Sequence, residues 1–119
     1  MNWFLVFIGG GLGSLLRYTL SIVLKNVAWT LPLATLFSNV AASFIMGILT
    51  GLSLKNVLSA EYKWLLATGF CGGFSTFSTF SNETVQLFQN GHSFTAILNI
   101  FISIILCLAA TVLGLKLSL

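Results

Sequence analysis

"GFCGGFSTFSTFSNE", residues 69–83, falls where an otherwise oily chain calls for an uninterrupted membrane span. Three glycines, five hydroxyl side chains, an Asn and a Glu stand there, with four phenylalanines threaded between them. Each glycine costs a helix about 1 kcal/mol against Ala. The hydroxyls of Ser75, Thr76, Ser78, Thr79 and Ser81 compete for backbone groups and weaken it further. The stretch predicts a helix broken near Gly72 to Ser75. Broken backbone at membrane depth is tolerated only where protein buries it or where it lines a cavity. In transporters, carbonyls freed at such breaks coordinate cations.

The rest of the chain makes this a question about lipid. Of 119 residues, 57% are hydrophobic and 6% charged, with a mean hydropathy of +1.04. A soluble chain carries about 25% charged residues. Three apolar stretches, roughly 3–24, 33–54 and 94–115, are each long enough to cross a hydrocarbon core of about 30 Å as helix. Residues 63–88 form a fourth, interrupted candidate around the opening motif. The connections 25–32, 55–62 and 89–93 leave no room for a soluble domain. The expectation is an all-α membrane protein, a single domain over 1–119 with four transmembrane helices. "MNWFLVFIGG" has no basic segment ahead of its apolar run, so a cleaved signal peptide is not expected. Lys55, Lys63 and Lys116 share a side with the amino terminus, against Lys25 with Arg17 leaning its way. That slight bias favours cytoplasmic termini, and a chain so balanced is also suited to insertion in both orientations.

Composition excludes several classes. There is no Asp, a single His (His92) in a loop, no phosphate-binding glycine motif and no carboxylate pair within a span. The usual routes of catalysis lack their parts, so no enzyme is expected. Cys71 and Cys107 lie within spans and have neither metal-ligand nor disulfide spacing. A net charge of +3 is too small to argue for nucleic acid. Glu83, three residues beyond Phe80, is the one acidic group near a span interior. Its pairing with Arg17, in the same or a neighbouring subunit, is left open.

Polar and small residues recur at helical spacing. Gly9 and Gly13, and Gly10 and Ser14, leave one face of span 1 bare for close helix packing. Arg17, inside the same span, either snorkels to the interface or stands at the mouth of an aqueous cavity. In span 2, Asn39, Ser43, Gly47 and Gly51 form one stripe, and Asn39 must find a partner helix or a permeating anion. In span 4, Asn99, Ser103, Cys107 and Thr111 trace a second stripe. Such stripes either glue helices or line a narrow wet path. Phe74, Phe77 and Phe80 would share a face of a continuous helix, and their weakly positive edges suit an anion. A passive path of amide, hydroxyl and ring-edge donors fits a small anion that accepts strong hydrogen bonds. Four helices are too few to enclose and support it, which implies at least a dimer.

With these residues assembled, the chain resembles the CrcB, or Fluc, family of fluoride channels over essentially its whole length. "GGGLGSLLRY" (residues 9–18) is similar to the family's glycine-rich first span ending in Arg-Tyr. "PLATLFSNVAASFIMG" (32–47) is similar to its second-span block around a central Asn, and "GFCGGFSTFSTFS" (69–81) to its third-span signature. Ser75 stands where the family usually has Thr, and Ala34 and Ala42 where glycines are common. The resemblance implies a highly selective, passive fluoride channel in the plasma membrane, of the prokaryotic inner-membrane type, that exports fluoride and confers resistance to it. It implies an antiparallel, dual-topology dimer with two pores and a structural sodium ion on the two-fold axis, held by the carbonyls of Gly72 and Ser75. Fluoride would pass Phe77 and Phe80 and the donating amide of Asn39, beside the hydroxyls of Ser78 and Thr79, continuing along span 4 at Ser103. Arg17 would lie in the vestibule. The expected partners are fluoride, lipid and a second copy of the chain, with a paralogue as the alternative copy. Two other readings are a small multidrug-resistance-type exporter, which needs a carboxylate in span 1 that this chain lacks, and an accessory membrane subunit.

Overall fold

The computed structural model describes residues 2–27 and 30–119. Helix α1 (Asn2–Val23) and helix α2 (Leu33–Leu54) come first. Next is α3 (Ala60–Tyr62), which runs on through a π-helical stretch (Lys63–Cys71) into α4 (Gly72–Phe74). After a two-residue interruption the span resumes as α5 (Phe77–Gln89), and α6 (Ser93–Ser118) closes the chain. Among the described residues there is no strand. Helices α1, α2 and α6 are each long and apolar enough to cross a membrane, and the third span is the broken one.

The helices pack as two parallel pairs, and glycines set the register of both. Gly9 of α1 meets Leu65, Gly69 and Phe70, and Gly13 meets Phe70, Gly73 and Phe74. A Cβ placed on Gly13 would come within 2.7 Å of the Phe74 amide nitrogen. Gly73 in turn lies against the Gly10 backbone. In the second pair, Gly47 of α2 lies against Thr111 and Leu115 of α6, while Gly114 of α6 lies against Phe44 and Ile48. Lipid supplies no hydrophobic drive between helices, so close backbone contact of this kind does the holding. Helix α5 returns onto α6 through a turn at Gly91, whose φ of 81° suits glycine.

The interior is as polar as it is apolar. Ala42, Leu49, Cys71, Phe74, Leu87 and Ala96 are buried, and so are Thr35, Ser38, Thr84, Asn99, Ser103 and Ser118. The outer faces of α1 and α6 are the reverse, exposing Trp3, Phe4, Phe7, Phe94, Phe101 and Leu108. That inversion is what a lipid solvent selects.

The break sits later than the glycines suggest. Gly72 keeps helical angles (φ −63°, ψ −36°), whereas Ser75 (φ −86°, ψ 157°) and Thr76 (φ −155°, ψ 119°) are extended. Gly73 serves contact with α1 rather than chain reversal. The β-branched Thr76 takes the extended conformation it favours and caps α5 by accepting from the Thr79 amide. The phenylalanines separate accordingly. Phe74 lies before the break, 3% exposed against Phe70, so it does not share a face with Phe77 and Phe80.

Candidate functional site

The interrupted backbone is held by groups from three places. The Thr76 N–H donates to Asn39 Oδ1 at 2.7 Å, and Asn39 Nδ2 donates back to the Thr76 carbonyl at 3.3 Å. Arg17 Nε donates to the Gly73 carbonyl at 3.2 Å. Ser75 Oγ donates to the Cys71 carbonyl at 2.7 Å, and the Thr79 N–H donates to Thr76 Oγ1 at 3.2 Å. In a continuous helix the Thr76 and Thr79 amides would serve the carbonyls four residues earlier. Those are the carbonyls of Gly72 and Ser75, and both have lost their ladder donors.

Beside the break lies a cavity of about 270 Å³. Asn39 and Ser43 reach it from α2, and Ser103 and Cys107 from α6. The broken span contributes Ser75, Thr76, Phe77 and Phe80. The Phe77 and Phe80 rings lie 5.6 Å apart and tilted by 42°. Phe77 is 78% exposed in the single chain, a large ring left uncovered next to polar groups. A second cavity, of about 400 Å³, gathers Arg17, Thr35, Thr79 and Glu83. Here Thr35 Oγ1 donates to Glu83 Oε1 at 2.8 Å, and the buried Oε2 has no partner among the described residues. Arg17 turns its Nε to the broken span, and within the chain neither oxygen of Glu83 bonds to it.

Four of the residues singled out from sequence, Asn39, Phe77, Phe80 and Ser103, therefore meet at one cavity, with Ser75 beside them. Arg17 and Thr79 stand together at the other. Ser78 lines neither; its hydroxyl is 3.2 Å from that of Thr76. Gly72 has open space around it, with nothing within 4 Å of where a Cβ would be. The two polar stripes divide between their readings. Asn39 and Ser43 line the cavity while Gly47 and Gly51 pack helices; Ser103 and Cys107 line it while Thr111 packs against Gly47. Sequence reasoning missed Thr35, although it sits four residues before Asn39 on the same stripe. It also missed Thr76, whose place three residues before Thr79 marks a helix cap.

Fold and site together define a multi-pass, all-helical membrane protein whose cavity, lined by aromatic rings and a few amide and hydroxyl groups, is set against an interrupted span. The chain belongs to the CrcB family: the profile described as "CrcB-like protein, Camphor Resistance (CrcB)" matches residues 4–115. It is similar to a protein of Azobacteroides pseudotrichonymphae, 49% identical over 93% of this chain and 90% of that one. A Pyrococcus furiosus protein is 48% identical over 92% and 89% of the two chains. A Flavobacterium psychrophilum protein is 45% identical over 94% and 92%. Each of these relatives bears the name fluoride-specific ion channel FluC, which describes a channel and not an enzyme. The resemblance carried by the three sequence blocks is confirmed.

Proposed function

We propose that this chain forms a passive, selective fluoride channel that lets fluoride leave the cytoplasm. The observation that carries the reading is the convergence of Asn39, Phe77, Phe80 and Ser103 on one cavity beside broken backbone. Asn39 gives one N–H to the Thr76 carbonyl and retains a second. Ring edges add a weak positive field without the grip of an ammonium. Fluoride, small and a strong acceptor, gives up its water for donors of this kind in a narrow space. Chloride, larger and a weaker acceptor, is compensated too little. Arg17 at the second cavity would draw anions toward the path, with Thr79 next to it.

The reading extends to an antiparallel, dual-topology dimer with two pores, in which a second copy covers the exposed ring of Phe77. The carbonyls of Gly72 and Ser75, both without ladder donors, fit a sodium ion between the two copies. Such an ion would supply fixed positive charge near the anion path.

The test is fluoride-electrode efflux from proteoliposomes holding this polypeptide alone. Fluoride efflux with negligible chloride efflux is the expected result, falling at least tenfold, about 1.4 kcal/mol of barrier, in Phe80→Ile. Comparable chloride efflux through the wild type would remove the selectivity claim. Failure of the lone polypeptide to conduct, restored by a paralogue, would replace the homodimer with a heterodimer.

A further inference from the structure

Behind the cavity lies a buried chain of hydrogen bonds that the fluoride path itself does not use. Asn99 is 1% exposed and is among the largest fully buried side chains described. Its Nδ2 is 3.0 Å from Thr84 Oγ1, and its Oδ1 is 3.4 Å from Ser103 Oγ. Thr84 Oγ1 lies 2.7 Å from the Phe80 carbonyl. Phe80 and Thr84 are one turn apart on α5, and Ser103 and Asn99 one turn apart on α6. Two cavity-lining residues are thus each backed by a buried one, and the two backing residues bond each other.

Counting protons fixes the direction of every bond. A carbonyl only accepts, so Thr84 spends its single hydroxyl proton on Phe80. Toward Asn99, Thr84 can then only accept, and the carboxamide must present its NH₂ there. That orientation leaves Oδ1 facing Ser103, which donates its own single proton to it. Ser103 consequently offers the cavity lone pairs rather than a proton. An anion beside Ser103 must draw that proton away from Asn99. At 3.4 Å the bond is long for an O–H···O contact, and the proton goes to whichever acceptor, the carboxamide or the anion, holds it more strongly.

We infer that Asn99 is a specificity-determining residue: it competes with the permeating anion for the Ser103 proton and so sets the acceptor strength an anion needs to pass. This rests on the fluoride-channel reading. Asn99→Leu removes the competitor and orphans nothing, because Thr84 keeps its bond to Phe80 and Ser103 faces the cavity. Thr84→Val, close in shape, leaves the carboxamide NH₂ without its acceptor; the amide then turns that group to Ser103 Oγ, which accepts from it and has its own proton free for the cavity.

The experiment measures fluoride and chloride efflux from proteoliposomes for the wild type, Asn99→Leu and Thr84→Val, each with Ser103 and with Ser103→Ala. Both single variants are expected to raise the chloride-to-fluoride rate ratio about two- to threefold, the low end of the worth of one hydrogen bond, as suits so long a one. In the Ser103→Ala background neither has a further effect. An unchanged ratio in both variants, or a rise that persists undiminished without the Ser103 hydroxyl, overturns the inference while leaving the channel reading intact. A wild type that moves no fluoride overturns both.

Discussion

At the scale of the residue, Asn39 has a double duty that its position in the sequence only half reveals. A carboxamide inside a span must be paired, and that much follows from the stripe it begins. Its partner is the peptide of Thr76, read in both directions at 2.7 and 3.3 Å. The same side chain stands at the cavity with one N–H still to give. Asn39→Asp keeps the acceptor for the Thr76 N–H, loses the donor and puts a negative charge on the anion path. Asn39→Ala leaves both half-buried Thr76 groups without their partner, at about 0.5–1.5 kcal/mol for each hydrogen bond lost. The expected outcome is a split. In a thermal unfolding series in detergent, Asn39→Ala unfolds at clearly lower temperature than Asn39→Asp. In efflux, Asn39→Asp is the more completely silent per folded protein. Equal unfolding midpoints for the two would mean that the Thr76 clamp contributes little.

At the scale of the element, the glycines show what sequence made legible and what it did not. The four-residue spacing of Gly9 and Gly13 announces a face for close helix contact, and that face is found against residues 60–74. A broken third span was equally legible, because glycines and hydroxyls crowd one short stretch. Its position was legible to within a few residues, the expected Gly72 to Ser75 overlapping the break at Ser75, and no closer, since helix propensity cannot distinguish a glycine that bends the chain from one that admits a neighbour. Gly73 is the second kind, and the extended residues are Ser75 and Thr76. The π-helical register of Lys63–Cys71 had no signal at all; which carbonyl each amide reaches there is not a property of residue type. These roles separate by substitution. Gly13→Ala drives a Cβ into the Phe70 carbonyl and the Phe74 amide, backbone that cannot yield, and is expected to abolish folded protein. Gly72→Ala meets nothing within the chain and is expected to gain about 0.5–1 kcal/mol of helix stability. Size-exclusion profiles decide between them. If the wild type elutes as the proposed dimer and a folded Gly72→Ala chain does not, the second copy lies against that glycine.

At the scale of the whole molecule, the balance of charges bears on the proposed antiparallel pairing. The parallel registers of α1 with residues 60–74, and of α2 with α6, put Lys55, Lys63 and Lys116 toward one end and Lys25 toward the other. So small an imbalance leaves orientation weakly determined, as an antiparallel pair of identical chains requires. Added lysines should then separate orientation from chemistry. Val57→Lys with Ser59→Lys loads the amino-terminal end, and Gln89→Lys with Asn90→Lys loads the opposite end; all four positions are exposed and outside both cavities. A topology reporter fused to the carboxyl terminus is expected to find each double variant in one orientation, opposite to that of the other. Expressed alone, each should fail to support fluoride efflux, since every chain faces the same way. Expressed together, the two should restore efflux, because the opposed pair is available again. A singly oriented variant that conducts as well as the wild type would exclude antiparallel pairing, whatever ion the channel carries.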